Sequence, residues 1–185
     1  MQAVFLDRDG VLNDAILSEG RPYPPANLDE LRISDGAEDA LTRLKEAGFL
    51  LIVVTNQPDV GRGTQTREAV EEMNRELARV LPIDEFAVCW HDGREPCPCR
   101  KPAPGMVLEA AQRHHIDLSR SYLIGDRWRD IDCGHAAGVR TVWIDRGYAE
   151  RGPEHPPAFR CASLADAVDF ILGESTIGLR GWSGE

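Results

Sequence analysis

The chain has 185 residues, of which 42% are hydrophobic and 28% are charged, and this composition is typical of one compact domain with an ordinary core. Its formal net charge of -10 argues against a general nucleic-acid binder, because a phosphate backbone requires clustered lysine and arginine. No window resembles a transmembrane span and the N-terminus lacks the pattern of a secretory signal, so we expect a cytoplasmic protein.

Short apolar runs alternate with longer amphipathic stretches along the chain. The runs predict strands at 3–6, 50–54, 86–89, 122–124 and 141–144. Apolar residues three or four apart predict helices at 36–47, 67–80, 105–114, 131–137 and 164–172. The alternation predicts an α/β fold, with a mainly parallel sheet covered by helices on both faces. We expect one domain at 1–173 and a poorly ordered tail at 174–185, which is rich in Gly and Ser.

Polar side chains stand at the ends of three predicted strands. Asp7 and Asp9 follow the first strand, Thr55 follows the second, and Asp126 follows the fourth. Ligands of parallel sheets bind beyond the carboxyl ends of the strands, so we expect these groups to meet at one site. Residues two apart on an extended segment point the same way, and Asp7 and Asp9 would therefore face one ligand.

The chemistry of these acids indicates a bound cation and a phosphate. Oxygen ligands from Asp7, Asp9 and Asp126 suit Mg²⁺, which keeps several waters and usually meets its substrate through a phosphate. One carboxylate then attacks phosphorus to form an aspartyl-phosphate, while the second serves as general acid and afterwards as base. A calcium loop is the alternative for D-x-D-G, but a strand precedes it and its twelfth position is Ser18 rather than Glu. The pattern therefore predicts a magnesium-dependent phosphatase.

Three cysteines and one histidine crowd into a short stretch at Cys89, His91, Cys97 and Cys99. Three thiolates and an imidazole form a complete tetrahedral zinc set with no open position, so the predicted zinc is structural. The alternative is that these cysteines are incidental or simply buried. Arg100 and Lys101 follow the last ligand directly, and a zinc loop at 89–101 would hold these two cations over the phosphate.

The motifs resemble those of the haloacid dehalogenase-like (HAD) phosphohydrolases. Residues 7–12, DRDGVL, resemble the signature D-x-D-G-[TV]-[LI], while Thr55-Asn56, Lys101 and the G-D-x-x-x-D of residues 125–130 resemble the second, third and fourth motifs. The resemblance implies a Rossmann-like HAD fold. It also implies these roles: Asp7 as nucleophile, Asp9 as general acid and base, Thr55 as phosphate donor, Lys101 as charge stabiliser, Asp126 as magnesium ligand, and Asp130 as a support outside the ligand set.

The zinc loop followed by C-R-K-P resembles one HAD branch, the D-glycero-D-manno-heptose 1,7-bisphosphate phosphatases and the related histidinol-phosphate phosphatases. The resemblance implies that Arg100, Lys101 and Arg127 bind phosphate or lie beside the metal. It favours removal of the C7 phosphate of the heptose bisphosphate. Histidinol phosphate is the second candidate substrate, and a polynucleotide 3′-phosphate is the third. A non-catalytic, zinc-stabilised phosphate-binding module is the alternative of a different class.

No insertion is long enough for a cap domain, so substrate choice is expected to come from loops. Arg21, beside Tyr23, is predicted to contact a distal phosphate, and the alternative is an exposed arginine in a Pro-rich turn. Asn56 and Gln57 are also predicted to contact substrate. The predicted partner is a small phosphorylated sugar or a similar metabolite, with no nucleic acid and no membrane, bound by a monomer or small homo-oligomer.

Overall fold

The computed structural model describes residues 1–180 of the chain, and the side chains of residues 1–174. Its central sheet contains six strands: β1 (Ala3–Leu6), β4 (Leu50–Asn56), β5 (Glu85–Cys89), β6 (Tyr122–Gly125), β7 (Arg140–Ile144) and β8 (Phe159–Cys161). They lie in the order β5-β4-β1-β6-β7-β8, and every pair of neighbours is parallel. The predicted parallel α/β fold is confirmed.

Helices cover both faces of this sheet. They are α1 (Ala37–Glu46), α2 (Pro58–Arg62), α3 (Arg67–Val80), α4 (Gly105–His114), α5 (Trp128–Ala137) and α6 (Leu164–Arg180). Successive residues of β1 point to opposite faces, so Val4 and Leu6 enter one core cluster while Ala3 and Phe5 enter the other. No helix in the described part of the chain is long and apolar enough to span a membrane.

The strand order places the candidate site. From β1 the chain adds β4 and β5 on one side, then crosses to add β6, β7 and β8 on the other side. The order therefore reverses at β1, where the connections on the two sides diverge and leave a crevice beyond the strand ends. The predicted polar ends of β1, β4 and β6 are neighbours in the sheet.

Some elements were absent from the sequence prediction. The segment between Asp14 and Pro25 contains a two-stranded hairpin, β2 (Ile16–Ser18) and β3 (Arg21–Tyr23). Its turn has positive φ at Glu19 (50°) and at Gly20 (74°), as a two-residue hairpin turn requires. The short elements α2 and β8 were also missed, because they have too few residues to show a period.

The C-terminal boundary also differs from the sequence prediction. Helix α6 continues to Arg180 and includes residues 174–180, which the sequence analysis assigned to the tail. The last five residues of the predicted tail, 181–185, lie outside the described residues.

Candidate active site

Three carboxylates meet beyond the carboxyl ends of β1 and β6. Asp7 directly follows β1, Asp126 follows β6, and Asp130 lies in the first turn of α5. Each offers an oxygen atom within 4.8 Å of the others, and all three side chains are buried. The Nζ atom of Lys101 lies 2.8 Å from Oδ1 of Asp7 and 2.6 Å from Oδ1 of Asp130. The cluster is therefore a set of buried acids with one lysine among them.

The negative charge of this cluster exceeds the positive charge of the lysine. Burial, followed by the charge of Asp130, raises the pKa of Asp7 to about 6, although Lys101 opposes the change. Burial and the neighbouring Asp7 raise the pKa of Asp126 well above its usual range. Burial alone would lower the pKa of Lys101, but the carboxylates of Asp130 and Asp7 outweigh it and raise that pKa. A further positive charge would relieve the repulsion among these acids.

The donor set fits a hard divalent cation. Oδ1 of Asp126 is buried and has no hydrogen-bond partner in the described chain, while Oδ2 accepts a hydrogen bond of 2.7 Å from the Tyr148 hydroxyl. Both oxygens of Asp130 are engaged, Oδ1 by Lys101 and Oδ2 by the backbone N–H of Arg127 at 3.0 Å. Asp7 and Asp126 are thus the carboxylates with the best-placed free oxygens, and Asp130 supports them.

The carboxylate of Asp9 faces a different group of residues. Its Oδ1 accepts hydrogen bonds from the Arg8 guanidinium (3.0 and 3.1 Å) and from Asn13 (3.0 Å). Its Oδ2 accepts a hydrogen bond of 2.8 Å from Nε2 of Gln57. The sequence analysis predicted Asp9 as a magnesium ligand; its carboxylate lies outside the group formed by Asp7, Asp126 and Asp130, so that role stays a prediction. The side chain lines the cleft.

The end of β4 supplies three consecutive polar residues with different positions. Thr55 lines the cleft, and its hydroxyl accepts a hydrogen bond of 3.0 Å from Gln57. The Asn56 side chain makes two hydrogen bonds of 3.0 Å with the backbone of Lys101. Its Nδ2 donates to the Lys101 carbonyl and its Oδ1 accepts from the Lys101 N–H, which fixes the backbone at the lysine. Gln57 was predicted to contact substrate, but it is 0% exposed and instead holds Asp9 and Thr55.

The four predicted zinc ligands form a second cluster, at the end of β5. Cys97 lies 2.9 Å from Cys99 (Sγ to Sγ) and 3.0 Å from Nδ1 of His91, while Cys89 lies 3.5 Å from the same Nδ1. All the cysteines are free, so the short sulfur separation is not a disulfide. Three thiol groups and an imidazole gathered in this way match the tetrahedral donor set that zinc takes.

Asp7, Asp9 and Asp130 line a cleft of about 540 Å³. Seven cationic side chains line it: Arg21, Arg62, Arg100, Lys101, Arg127, Arg129 and Arg151. Five acidic side chains line the same cleft, so its cations exceed its anions although the whole chain is acidic. Arg127 is held by Glu150, to which its Nε atom donates at 2.9 Å.

Three of these arginines were missed in the sequence analysis. Arg62 ends the short helix after β4, so its place beside a strand end was a usable signal. Arg129 lies one residue before Asp130, which the sequence analysis had identified, so its position near the end of a strand was also a usable signal. Arg151 gave none, because it reaches the cleft by stacking its guanidinium 3.5 Å from the centroid of the Trp128 ring.

Comparison with known proteins finds a hydrolase family and relatives that are phosphatases. Residues 98–167 match the sequence model of the HAD-hydrolase-like family. The D-glycero-β-D-manno-heptose-1,7-bisphosphate 7-phosphatase of Escherichia coli K12 is 38% identical, over 92% of this chain and 87% of the relative. The enzyme of the same name from Pasteurella multocida is 36% identical, over 93% of this chain and 97% of the relative.

Solved structures show the same similarity. The D,D-heptose 1,7-bisphosphate phosphatase of B. bronchiseptica, complexed with magnesium and phosphate, superimposes with a TM-score of 0.76 at 28% identity. The match covers 94% of this chain and 99% of that one. The corresponding enzyme of Burkholderia thailandensis gives a TM-score of 0.63 at 26% identity, over 92% of this chain and 99% of that one.

Proposed function

The chain belongs to the family of D-glycero-β-D-manno-heptose-1,7-bisphosphate 7-phosphatases, and from this we propose that it hydrolyses the C7 phosphate of that sugar and leaves the 1-phosphate. One observation carries the proposal: Asp7, Asp130 and Lys101, which form a buried cluster with Asp126, line a cleft that arginines also line. The proposed reaction needs a nucleophile, a cation site and a phosphate-binding surface close together, and these residues could supply all three.

Asp7 is the nucleophile of the proposed reaction. Its Oδ1 accepts hydrogen bonds from the backbone N–H of Arg8 (2.8 Å) and lies 2.8 Å from Nζ of Lys101, so the carboxylate is held in one orientation. It attacks the phosphorus of the C7 phosphate, and the bond between that phosphorus and the sugar oxygen breaks. Asp9 acts as the general acid that gives a proton to the departing sugar oxygen.

The second half of the reaction uses the same two acids. Asp9, now a carboxylate, takes a proton from water, and the resulting hydroxide attacks the phosphorus of the aspartyl-phosphate. Inorganic phosphate leaves and Asp7 is regenerated. Lys101 and Arg100 offer positive charge to the phosphoryl oxygens as their charge redistributes. Asp7 and Asp126, with Asp9 as the predicted third ligand, would hold magnesium, which when bound would supply positive charge that favours ionised Asp7 and attracts the phosphate.

We propose that the cysteine and histidine cluster binds a structural zinc ion. The guanidinium of Arg100 donates a hydrogen bond of 2.9 Å to the carbonyl of His91, which is one of the four zinc ligands. Fixing His91 therefore also fixes Arg100 at the cleft. The zinc ion contributes to phosphate binding through this contact and takes no part in the chemical step.

The second phosphate of the substrate is proposed to bind at the outer part of the cleft. Arg21 lines the cleft from the β2–β3 hairpin, and the backbone N–H of Ala149 donates to the carbonyl of Gly20 at 2.9 Å, which fixes the hairpin tip. A contact with the distal phosphate is made equally in the ground and transition states. Arg21→Ala should therefore raise KM more than it lowers kcat.

Histidinol phosphate is the competing substrate. It carries one phosphate and a positively charged amino group, and that amino group would enter a cleft lined by seven cationic and five acidic side chains. The bisphosphate instead brings a second anion to the same surface. Charge complementarity therefore favours the heptose bisphosphate.

The test compares kcat/KM for the heptose 1,7-bisphosphate and for histidinol phosphate with the same magnesium-loaded protein. We expect the bisphosphate to be preferred by at least about tenfold, which is about 1.4 kcal/mol of transition-state binding. A higher value for histidinol phosphate would replace the heptose assignment. Failure to hydrolyse any phosphorylated metabolite would favour the non-catalytic binding module.

A further inference from the structure

Tyr148 contacts a proposed magnesium ligand from a loop that no motif includes. The loop follows β7, and the Tyr148 hydroxyl donates a 2.7 Å hydrogen bond to Oδ2 of Asp126. Within the described chain, Tyr148 is the hydrogen-bond donor to the Asp126 carboxylate. The other oxygen of that carboxylate, Oδ1, is buried and has no hydrogen-bond partner there. Asp126 itself is 2% exposed, so solvent does not replace the missing partner.

The glycine of the first motif leaves room for this contact. Gly10 has φ +91°, and a Cβ atom there would lie 1.8 Å from Oδ2 of Asp126 and 2.9 Å from the Tyr148 hydroxyl oxygen. The loop is also tied to Gly10 directly, because the Arg146 guanidinium donates to its carbonyl at 3.1 and 3.3 Å. The tyrosine is therefore held in place by the same turn that carries Asp7 and Asp9.

We propose that Tyr148 is a positioning residue that fixes the Asp126 carboxylate for magnesium binding. By occupying Oδ2, the phenol sets the rotation of the carboxylate and leaves Oδ1 as the oxygen that faces the cation. Partners that orient a ligand carboxylate commonly change metal affinity when they are removed. The inference rests on the proposed function, since it concerns the metal of that reaction.

The experiment measures magnesium binding directly, by calorimetric titration of magnesium-free protein that retains its zinc. We expect Tyr148→Phe to raise the magnesium Kd about tenfold or more, because the unpaired carboxylate rotates freely between orientations. At saturating magnesium, kcat should recover to within about threefold of the wild type, and the substrate KM should stay unchanged. Such recovery separates positioning from a direct role in the chemistry.

Tyr122→Phe is the matched control. Its hydroxyl also donates to a carboxylate, Glu174 at 3.2 Å, but away from the acid cluster, so the magnesium Kd should not change. Urea denaturation without magnesium checks that both variants are folded. A Kd for Tyr148→Phe within twofold of the wild type would overturn the inference, as would an equal increase in Tyr122→Phe.

The design separates this inference from the proposed function. If the wild type and Tyr148→Phe bind magnesium equally and both hydrolyse the bisphosphate, the positioning role fails and the function stands. If the wild type binds magnesium more tightly than Tyr148→Phe but hydrolyses nothing, the positioning role stands and the function fails. A wild type that binds no magnesium overturns both.

Discussion

Removing magnesium should make the stability of this protein fall as the pH rises. The pKa of Asp7 is about 6 in the folded chain and near 3.8 when exposed, so the folded state holds a proton that the unfolded state has already lost. The extra proton therefore stabilises the folded state at low pH, and this stabilisation disappears as the pH rises through about 6. The raised pKa of Asp126 acts in the same direction.

The size of the effect can be calculated for Asp7 alone. Between pH 5 and pH 7.5, pKa values of about 6 and 3.8 for the folded and unfolded states remove roughly 1.4 kcal/mol from the free energy of unfolding. Carboxylates with lowered pKa values, such as Glu76 and Asp145, titrate below this window and do not mask the loss. Asp126 should add to it.

Urea denaturation at the two pH values, with magnesium dialysed away and zinc left in place, measures the difference. Saturating magnesium should stabilise the protein more at pH 7.5 than at pH 5, because protons compete for the same oxygens. In Asp126→Asn the added magnesium should give little stabilisation at either pH. Stability that is flat or rises between pH 5 and pH 7.5 without magnesium would refute this account of the cluster, as would undiminished magnesium stabilisation in Asp126→Asn.

Three further variants test other parts of the site. Asp7→Asn should abolish turnover and leave the fold and zinc content intact, because an amide does not attack phosphorus, and substantial phosphate release would exclude the covalent mechanism. Lys101→Met should destabilise the protein by about 3 kcal/mol or more in urea, since it leaves two buried carboxylates without their cation, and a neutral result would contradict the charge assignment. The purified protein should carry about one zinc per chain by metal analysis. Cys97→Ser should lose zinc and raise the substrate KM, whereas Cys161→Ser, outside the cluster, should do neither.

Much of the site could be predicted because its signals are local in the sequence. Asp7 and Asp126 follow apolar runs that form buried strands, and a parallel sheet brings such strand ends to one edge. Four zinc-type ligands in one short loop need little tertiary information to meet. These features were recognisable from residue type and spacing alone.

The remaining features depend on contacts between distant segments. The Asp9 carboxylate accepts one of its hydrogen bonds from Gln57, 48 positions away in the chain. Tyr148 reaches Asp126 only because the loop after β7 packs on Gly10, and nothing in the sequence near position 148 indicates that. The hairpin at 16–23 was recognisable in principle from its Glu19-Gly20 turn, but its strands of three residues gave no usable alternation.

Phosphorus NMR of the reaction with D-glycero-β-D-manno-heptose 1,7-bisphosphate tests the central claim most directly, because it shows which phosphate is released. With magnesium present, the C7 phosphate signal should disappear as inorganic phosphate appears, and the C1 phosphate signal should remain at full intensity. Asp7→Asn should leave both sugar signals unchanged. Loss of the C1 signal, or no release of phosphate by the wild type, would contradict the account.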